Sequence, residues 1–294
     1  MRILMVSAEG PPLKRAGALV DVMEALPAAL QARGHEVGVV LPFYRQIRAD
    51  RAIKKKDSGV TAEVIVGDRK YTARYLEGRS AGAVQLFFVR CDEFFDREGV
   101  YGEHGEPYED NAARFIFFTK ASLELARRLT PQLQILHVHD WPAALAPVFV
   151  FALGLPFKTV LTIHHVEEQG SFWGLDFPLT NLPERFFTLH GVEFFGRLNF
   201  LKGGILHADR ITTVSEHYRR EILTPAGGCG LDAVLHENAH RLSAILNGAD
   251  YKRWNPATDR LIPAPYDLRR LAGKQTCRDA LLKKLKLAPA PRGP

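Results

Sequence analysis

The amino-acid sequence predicts an α/β protein built on a doubly wound, mostly parallel sheet, and three observations carry that prediction. Short β-branched runs alternate with amphipathic helical segments along most of the chain. Several of the runs, among them RILMVSA (2–8), EVGVVLP (36–42) and KTVLTIH (158–164), are apolar almost throughout, the texture of strands covered on both faces. Histidine, aspartate, glycine and cationic side chains collect where the runs end, and that is where an open α/β sheet binds its ligands.

Taken in order, RILMVSA opens the chain as a buried strand. ALVDVMEALPAALQARG (18–34) follows as a helix, because its apolar positions recur at three- and four-residue spacing and Gly34 stops it. EVGVVLP is the second strand, and AEVIVGDRKYTARYLEG (62–78) with VQLFFVR (84–90) reads as a meander. DNAARFIFFTKASLELARRL (110–129) is a long helix, QILHVH (134–139) a strand, PAALAPVFVFAL (142–153) a helix and KTVLTIH a strand. The helical KGGILHA (202–208) leads into RITTVS (210–215), and RLSAILNG (241–248) adds a final strand. Strands that alternate with helices pair in parallel through crossovers, which puts helices on both faces. Beyond this point the chain becomes Pro-rich, then basic and helical over RRLAGKQTCRDALLKKLKL (269–287), and ends in APAPRGP. Residues 1–245 are therefore expected to form one domain, and 246–294 a linker and terminal basic helix leading to a domain the chain lacks.

At 294 residues, 46% of them hydrophobic, the chain can bury a substantial core. No uncharged apolar stretch approaches the roughly 18 residues of a membrane span, and MRILMVSAEG carries no leader-type cleavage site, so a cytoplasmic protein without membrane contact is expected. Cys91, Cys229 and Cys277 lie far apart with no CxxC spacing, which argues against a disulfide framework or a structural zinc site. The net charge of +6 suits an anionic partner. The basic clusters AIKKK (52–56) and LLKKLKL (281–287) lack interleaved aromatics, so a phosphorylated small substrate fits the charge as well as nucleic acid does.

The chemistry is expected at the strand ends. AEGPPLKRAGALVDV places Lys14, Arg15 and Gly17 in a loop that opens a helix, where cations and free N–H groups make a phosphate site, although the loop matches neither GxGxxG nor GxxxxGK[ST]. HVHD and IHH end two consecutive strands, so His139, Asp140 and His164 converge at one rim of the sheet. His137, His139, Asp140, His164 and His165 are of metal-ligand type and would suit a metal-dependent hydrolase, but their spacing contains no HExxH. Asp140 followed by Trp141 reads differently, as a carboxylate that accepts sugar hydroxyls beside an aromatic face.

MRILMVSAEGPPLKRAGALVDVMEALPAALQARGHEVGVVLPFY, FFDREGVYGEHGEPYEDNAARFIFF, LHVHDWPAALAP, VLTIHHVEEQGSF, GVEFFGRLNFLKGGILHADRITTVSEHYRREILTP, GCGLDAVL and LSAILNGADYKRWNPATD, in this order, resemble bacterial glycogen synthase and plant starch synthase. The resemblance runs to about residue 285. It implies the N-terminal, Rossmann-like half of a GT-B fold and transfer of glucose from ADP-glucose to the non-reducing end of an α-1,4-glucan with retention, without metal or cofactor.

The resemblance also implies residue roles. The family's KTGGLADV loop places its lysine on Arg15 and its two glycines on Gly17 and Ala18, the donor side, where Arg replaces Lys and a methyl group replaces a close backbone approach. Asp140 matches the acceptor-side aspartate, with His139 and Trp141 beside it; Pro142 stands where a histidine usually follows. His164 matches the histidine near the donor glucose, while IHNLxYQG has become IHHVEEQG, with His165 for Asn and Glu168 for Tyr. Asn247 matches an asparagine that contacts the glucosyl unit. Motifs like SRLxxQKG and ExPCG, which in the family hold the diphosphate and donor sugar from a second domain, are missing. A catalytic domain incomplete on its own, completed by a separate chain, is thus expected; the alternative is a non-catalytic glucan-binding or regulatory module of the same descent.

Overall fold

The computed structural model describes residues 1–13, 18–129, 133–249, 251 and 254–288. Two compact units are present, Met1–Asn247 and Gly248–Pro294.

In the first unit the strands are β1 (Arg2–Val6), β2 (Glu36–Pro42), β3 (Lys56–Val66), β4 (Arg69–Arg79), β5 (Gln85–Arg90), β6 (Ile135–His139), β7 (Lys158–Ile163), β8 (Arg210–Thr213) and β9 (Leu242–Ala244). They form one sheet in the order β9-β8-β7-β6-β1-β2-β5-β4-β3. From β9 to β5 every neighbouring pair is parallel, and β4 and β3 complete the sheet as an antiparallel meander. The burial of each strand follows from this place. Four of the five residues of β1 are buried, as a central strand covered on both faces requires, whereas β3 and β4 alternate buried and exposed side chains along much of their length. The predicted α/β class and parallel sheet are present. The first meander strand is longer than its predicted start at 62, because a register irregularity between Asp57 and Thr61 lets residues from 56 onward pair with β4.

Helices α1 (Ala18–Ala32), α2 (Asn111–Arg128), α3 (Leu145–Leu153) and α4 (Phe200–His207) cover the sheet. The predicted helix 142–153 is divided: a single turn, Asp140–Ala143, precedes α3. A small antiparallel sheet of Ser171–Trp173, Arg197–Asn199 and Glu193–Phe194 was not predicted, since strands of two or three residues carry too little periodicity to be read. Its Phe172 ring reaches both Trp141 and Phe200.

The topology positions the site. β1 has β2 on one side and β6 on the other, and the chain visits all the strands on the β2 side before it returns to β6. The order therefore reverses between β1 and β6, and the loops that leave the carboxyl ends of these two parallel strands diverge there, opening a crevice.

In the second unit the basic segment forms a helix, Ala272–Leu285, with Lys274 over the Tyr266 ring and Cys277 donating to the Ala264 carbonyl. Among the described residues, no helix is long and apolar enough to cross a membrane.

Candidate functional site

Asp140 is the first residue past β6, and its backbone turns into the left-handed region at φ 54°. Among non-glycine residues, aspartate and asparagine tolerate this region best. The turn ends the strand abruptly and aims the carboxylate at the neighbouring strand end. Oδ1 accepts the backbone N–H of His164 at 2.7 Å and that of His165 at 3.4 Å. The side chain thus clamps the loop after β7 to the end of β6. Burial pushes the carboxyl up to about 7 against the lowering effect of these two amides, and the charges of Glu168 and Glu9 push the same way as burial.

Three imidazoles lie beside this clamp. His137 and His139 fall on the same face of β6, two residues apart, with ring centroids 4.3 Å from each other. His137 Nε2 meets the Thr162 hydroxyl at 2.6 Å, and Thr162 meets Thr212 at 2.6 Å, so a polar row crosses β6, β7 and β8. His139 Nδ1 meets His164 Nε2 at 3.1 Å, and with their centroids 5.4 Å apart and their planes 29° from each other the two rings lie edge to edge. Burial, reinforced by the neighbouring imidazoles, lowers His137 and His164 to about 4 and holds His139 well below its ordinary value, so all three are neutral at pH 7. His137 Nε2 is turned toward a hydroxyl, and His139 Nδ1 and His164 Nε2 are turned toward each other. Among the described residues no three His, Cys, Asp or Glu side chains are grouped as metal ligands. Neutral imidazoles at a crevice suit neutral hydroxyl partners better than they suit a diphosphate.

Residues 2–237 match the family model for the starch synthase catalytic domain. The chain belongs to that family. It is 40% identical over 300 residues to glycogen synthase of Opitutus terrae, and equally so to glycogen synthase 2 of Geobacter sulfurreducens; each alignment covers the whole chain and 62% of the relative. It therefore spans about three fifths of the length of these relatives. Among solved structures it is similar to the catalytic domain of starch synthase IV from Arabidopsis thaliana bound to ADP and acarbose, with a TM-score of 0.83 and 30% identity, covering 99% of this chain and 60% of that one.

The starch synthase fold brings some of the expected residues together and separates others. Asp140, His164 and His139 meet as described. His139 and Trp141, expected to touch an acceptor, are both buried. His139 is fully enclosed behind His164, and Trp141 packs among Tyr101, Phe115, Phe172 and Phe200. The Trp141 ring is thus largely buried, 7% exposed, as are His164 at 7% and Asp140 at 8%. Gly170 is pressed against the Trp141 indole: at φ +60° a Cβ here would lie 2.4 Å from Cε3. Asn247 is exposed three residues beyond β9. Arg15 and Gly17 lie outside the described residues, and Ala18 is the first residue of α1.

Two residues of the crevice were missed. Glu9, in the loop after β1, accepts a hydrogen bond from the Tyr101 hydroxyl at 2.8 Å, and the Tyr101 ring stands 5.7 Å from that of Trp141. Tyr101 is held from behind. Asn111 Nδ2 donates to its carbonyl, and the fully buried Arg114 donates through Nη1 to Asn111 Oδ1 and through Nε to the Phe94 carbonyl. Both residues stand inside quoted motifs, Glu9 in AEGPP and Tyr101 in REGVYGEHGEP, but nothing local marks either as facing β6.

Proposed function

We propose that this chain is the acceptor-facing part of a glucosyltransferase of the glycogen and starch synthase type, moving glucose from ADP-glucose to the non-reducing end of an α-1,4-glucan with retention of configuration. The observation that carries this reading is the neutral His164, held by Asp140 at the point where the strand order reverses. In the transfer, the bond from the anomeric carbon to the ADP oxygen breaks and a bond to an acceptor hydroxyl oxygen forms, with negative charge moving onto the diphosphate and the hydroxyl's proton passing to the departing diphosphate oxygen. The groups around Asp140 orient neutral sugar and exclude water; they carry no positive charge with which to balance that diphosphate. Cations for the leaving group belong, on this reading, to the loop of Arg15 and to a further domain or separate chain, for which residues 246–294 are the linker. The reading places the protein in the cytoplasm and involves neither nucleic acid nor membrane.

The replacements at Arg15, Ala18, Pro142 and Glu168 favour a second reading, a glucan-binding module that no longer transfers. The test pairs transfer of labelled glucose from ADP-glucose to glycogen with calorimetric titration of maltoheptaose and ADP. Binding of maltoheptaose that weakens in Asp140→Ala is expected. Turnover would select the enzyme, binding without turnover even when the remaining portion of a relative is supplied would select the module, and no binding of either ligand would refute both.

A further inference from the structure

We infer that His139 is a positioning residue that locks His164 in a single tautomer, with the proton on Nδ1. A single proton lies between His139 Nδ1 and His164 Nε2, and either ring can supply it. The remaining nitrogen of His139, Nε2, is buried and has no partner among the described residues. If His164 donated, His139 would carry its own proton on Nε2, leaving a buried N–H with no acceptor. If His139 donates, Nε2 is a bare lone pair. Orphaned buried N–H groups are the rarer and the more costly of the two, so the second arrangement prevails. His164 Nε2 then accepts, and its proton resides on Nδ1, which bonds to no described group.

The surroundings hold this arrangement. The Asp140 bond to the His164 amide anchors the ring's backbone, and the His137 ring, engaged with Thr162, packs against His139. Proton exchange between tautomers would have to break the His139 bond in a buried setting. The consequence is that His164 meets its ligand as an N–H donor, suited to a hydroxyl oxygen and unsuited to a group that must itself donate. That last step rests on the glucosyltransferase reading above; the tautomer itself does not.

The test uses the full chain labelled with ¹⁵N-histidine and two-bond proton–nitrogen spectra, with His164→Gln assigning the signals. Native His164 should show a protonated Nδ1 and a bare Nε2. His139→Phe should leave the two nitrogens averaged between tautomers, while His139→Asn, whose amide N–H stands near the place of Nδ1, should restore the native pattern; the His164 amide resonance reports that the Asp140 clamp is still formed. A native His164 protonated on Nε2, or a His139→Phe chain with the clamp intact and the tautomer unchanged, would overturn the assignment. Maltoheptaose affinity should fall about tenfold in His139→Phe and return to within about twofold in His139→Asn, as loss and recovery of one oriented hydrogen bond require. If the native chain shows the locked tautomer yet does not bind maltoheptaose, the glucosyltransferase reading falls and the role of His139 stands.

Discussion

Replacing Asp140 separates two contributions that the structure combines in one residue. Its Oδ1 accepts the His164 amide at 2.7 Å, and a hydrogen bond to a carboxylate contributes about 1.5–3 kcal/mol. The second bond, at 3.4 Å to His165, adds little. Its φ of 54° would cost an alanine about 1 kcal/mol, a cost that glycine avoids. Asp140→Ala should therefore lose about 2.5–4 kcal/mol and Asp140→Gly about 1 kcal/mol less than that, while Asp140→Asn, which keeps both the acceptor oxygen and the tolerance of left-handed backbone, should lose the least. Urea unfolding at pH 7.5, followed by tryptophan fluorescence, orders the three variants by their midpoints. Equal midpoints for the alanine and glycine variants would remove the backbone argument. An alanine variant within about 0.5 kcal/mol of the native chain would remove the clamp itself.

The stability of the chain should fall on acidification. His137 and His164, lowered to about 4, bind fewer protons folded than unfolded between pH 6.5 and 4, so each loses stability as pH drops through that window. Asp140, raised to about 7, takes up its proton earlier in the folded state and offsets about one histidine, which leaves a net loss on the order of 3 kcal/mol from these three groups, and His139, lowered in the same direction, adds to it. Urea midpoints measured from pH 7 to pH 4 should decline, more steeply in Asp140→Asn; a flat profile would show that the imidazoles are not held neutral by burial. Gly170→Ala should cost about 2–4 kcal/mol, because its Cβ would overlap the Trp141 ring at a backbone angle that already disfavours side chains; an unchanged melting temperature would contradict this. Lys202, almost fully buried, donates from Nζ to the carbonyls of Leu189, Gly191 and Glu193 at 2.6, 3.1 and 2.6 Å. Lys202→Met orphans all three, so limited proteolysis should cut faster within residues 186–197, and an unaltered cleavage pattern would show that the lysine does not secure that loop.

Much of the fold was legible because its signals are local. Apolar runs such as RILMV and KTVLTI declare buried parallel strands, and the 3.6-residue period declares α1 and α2. The polar residues worth watching were legible too, since His139, Asp140 and His164 stand at strand ends whatever the neighbours are. Their roles were not. Trp141 read as a sugar platform because an aromatic beside a carboxylate has that meaning on a surface, whereas in the fold its ring is largely buried. Glu9 and Tyr101 escaped notice because they are 92 residues apart and meet only when the segment before α2 lies across the loop after β1.

From the sequence alone follow the order of strands and helices, the parallel class of the sheet, and the rim where its chemistry is placed, all of them properties of periodicity and of where apolar runs stop. The tertiary structure decided that β6 lies against β1, that Asp140 spends its carboxylate on the amides of the neighbouring strand end, and that His139, fully enclosed, spends Nδ1 on His164. The physical reason is that burial, the protonation state of an imidazole and the partner of a carboxylate depend on groups brought from distant parts of the chain, and a local pattern carries no record of which groups those are.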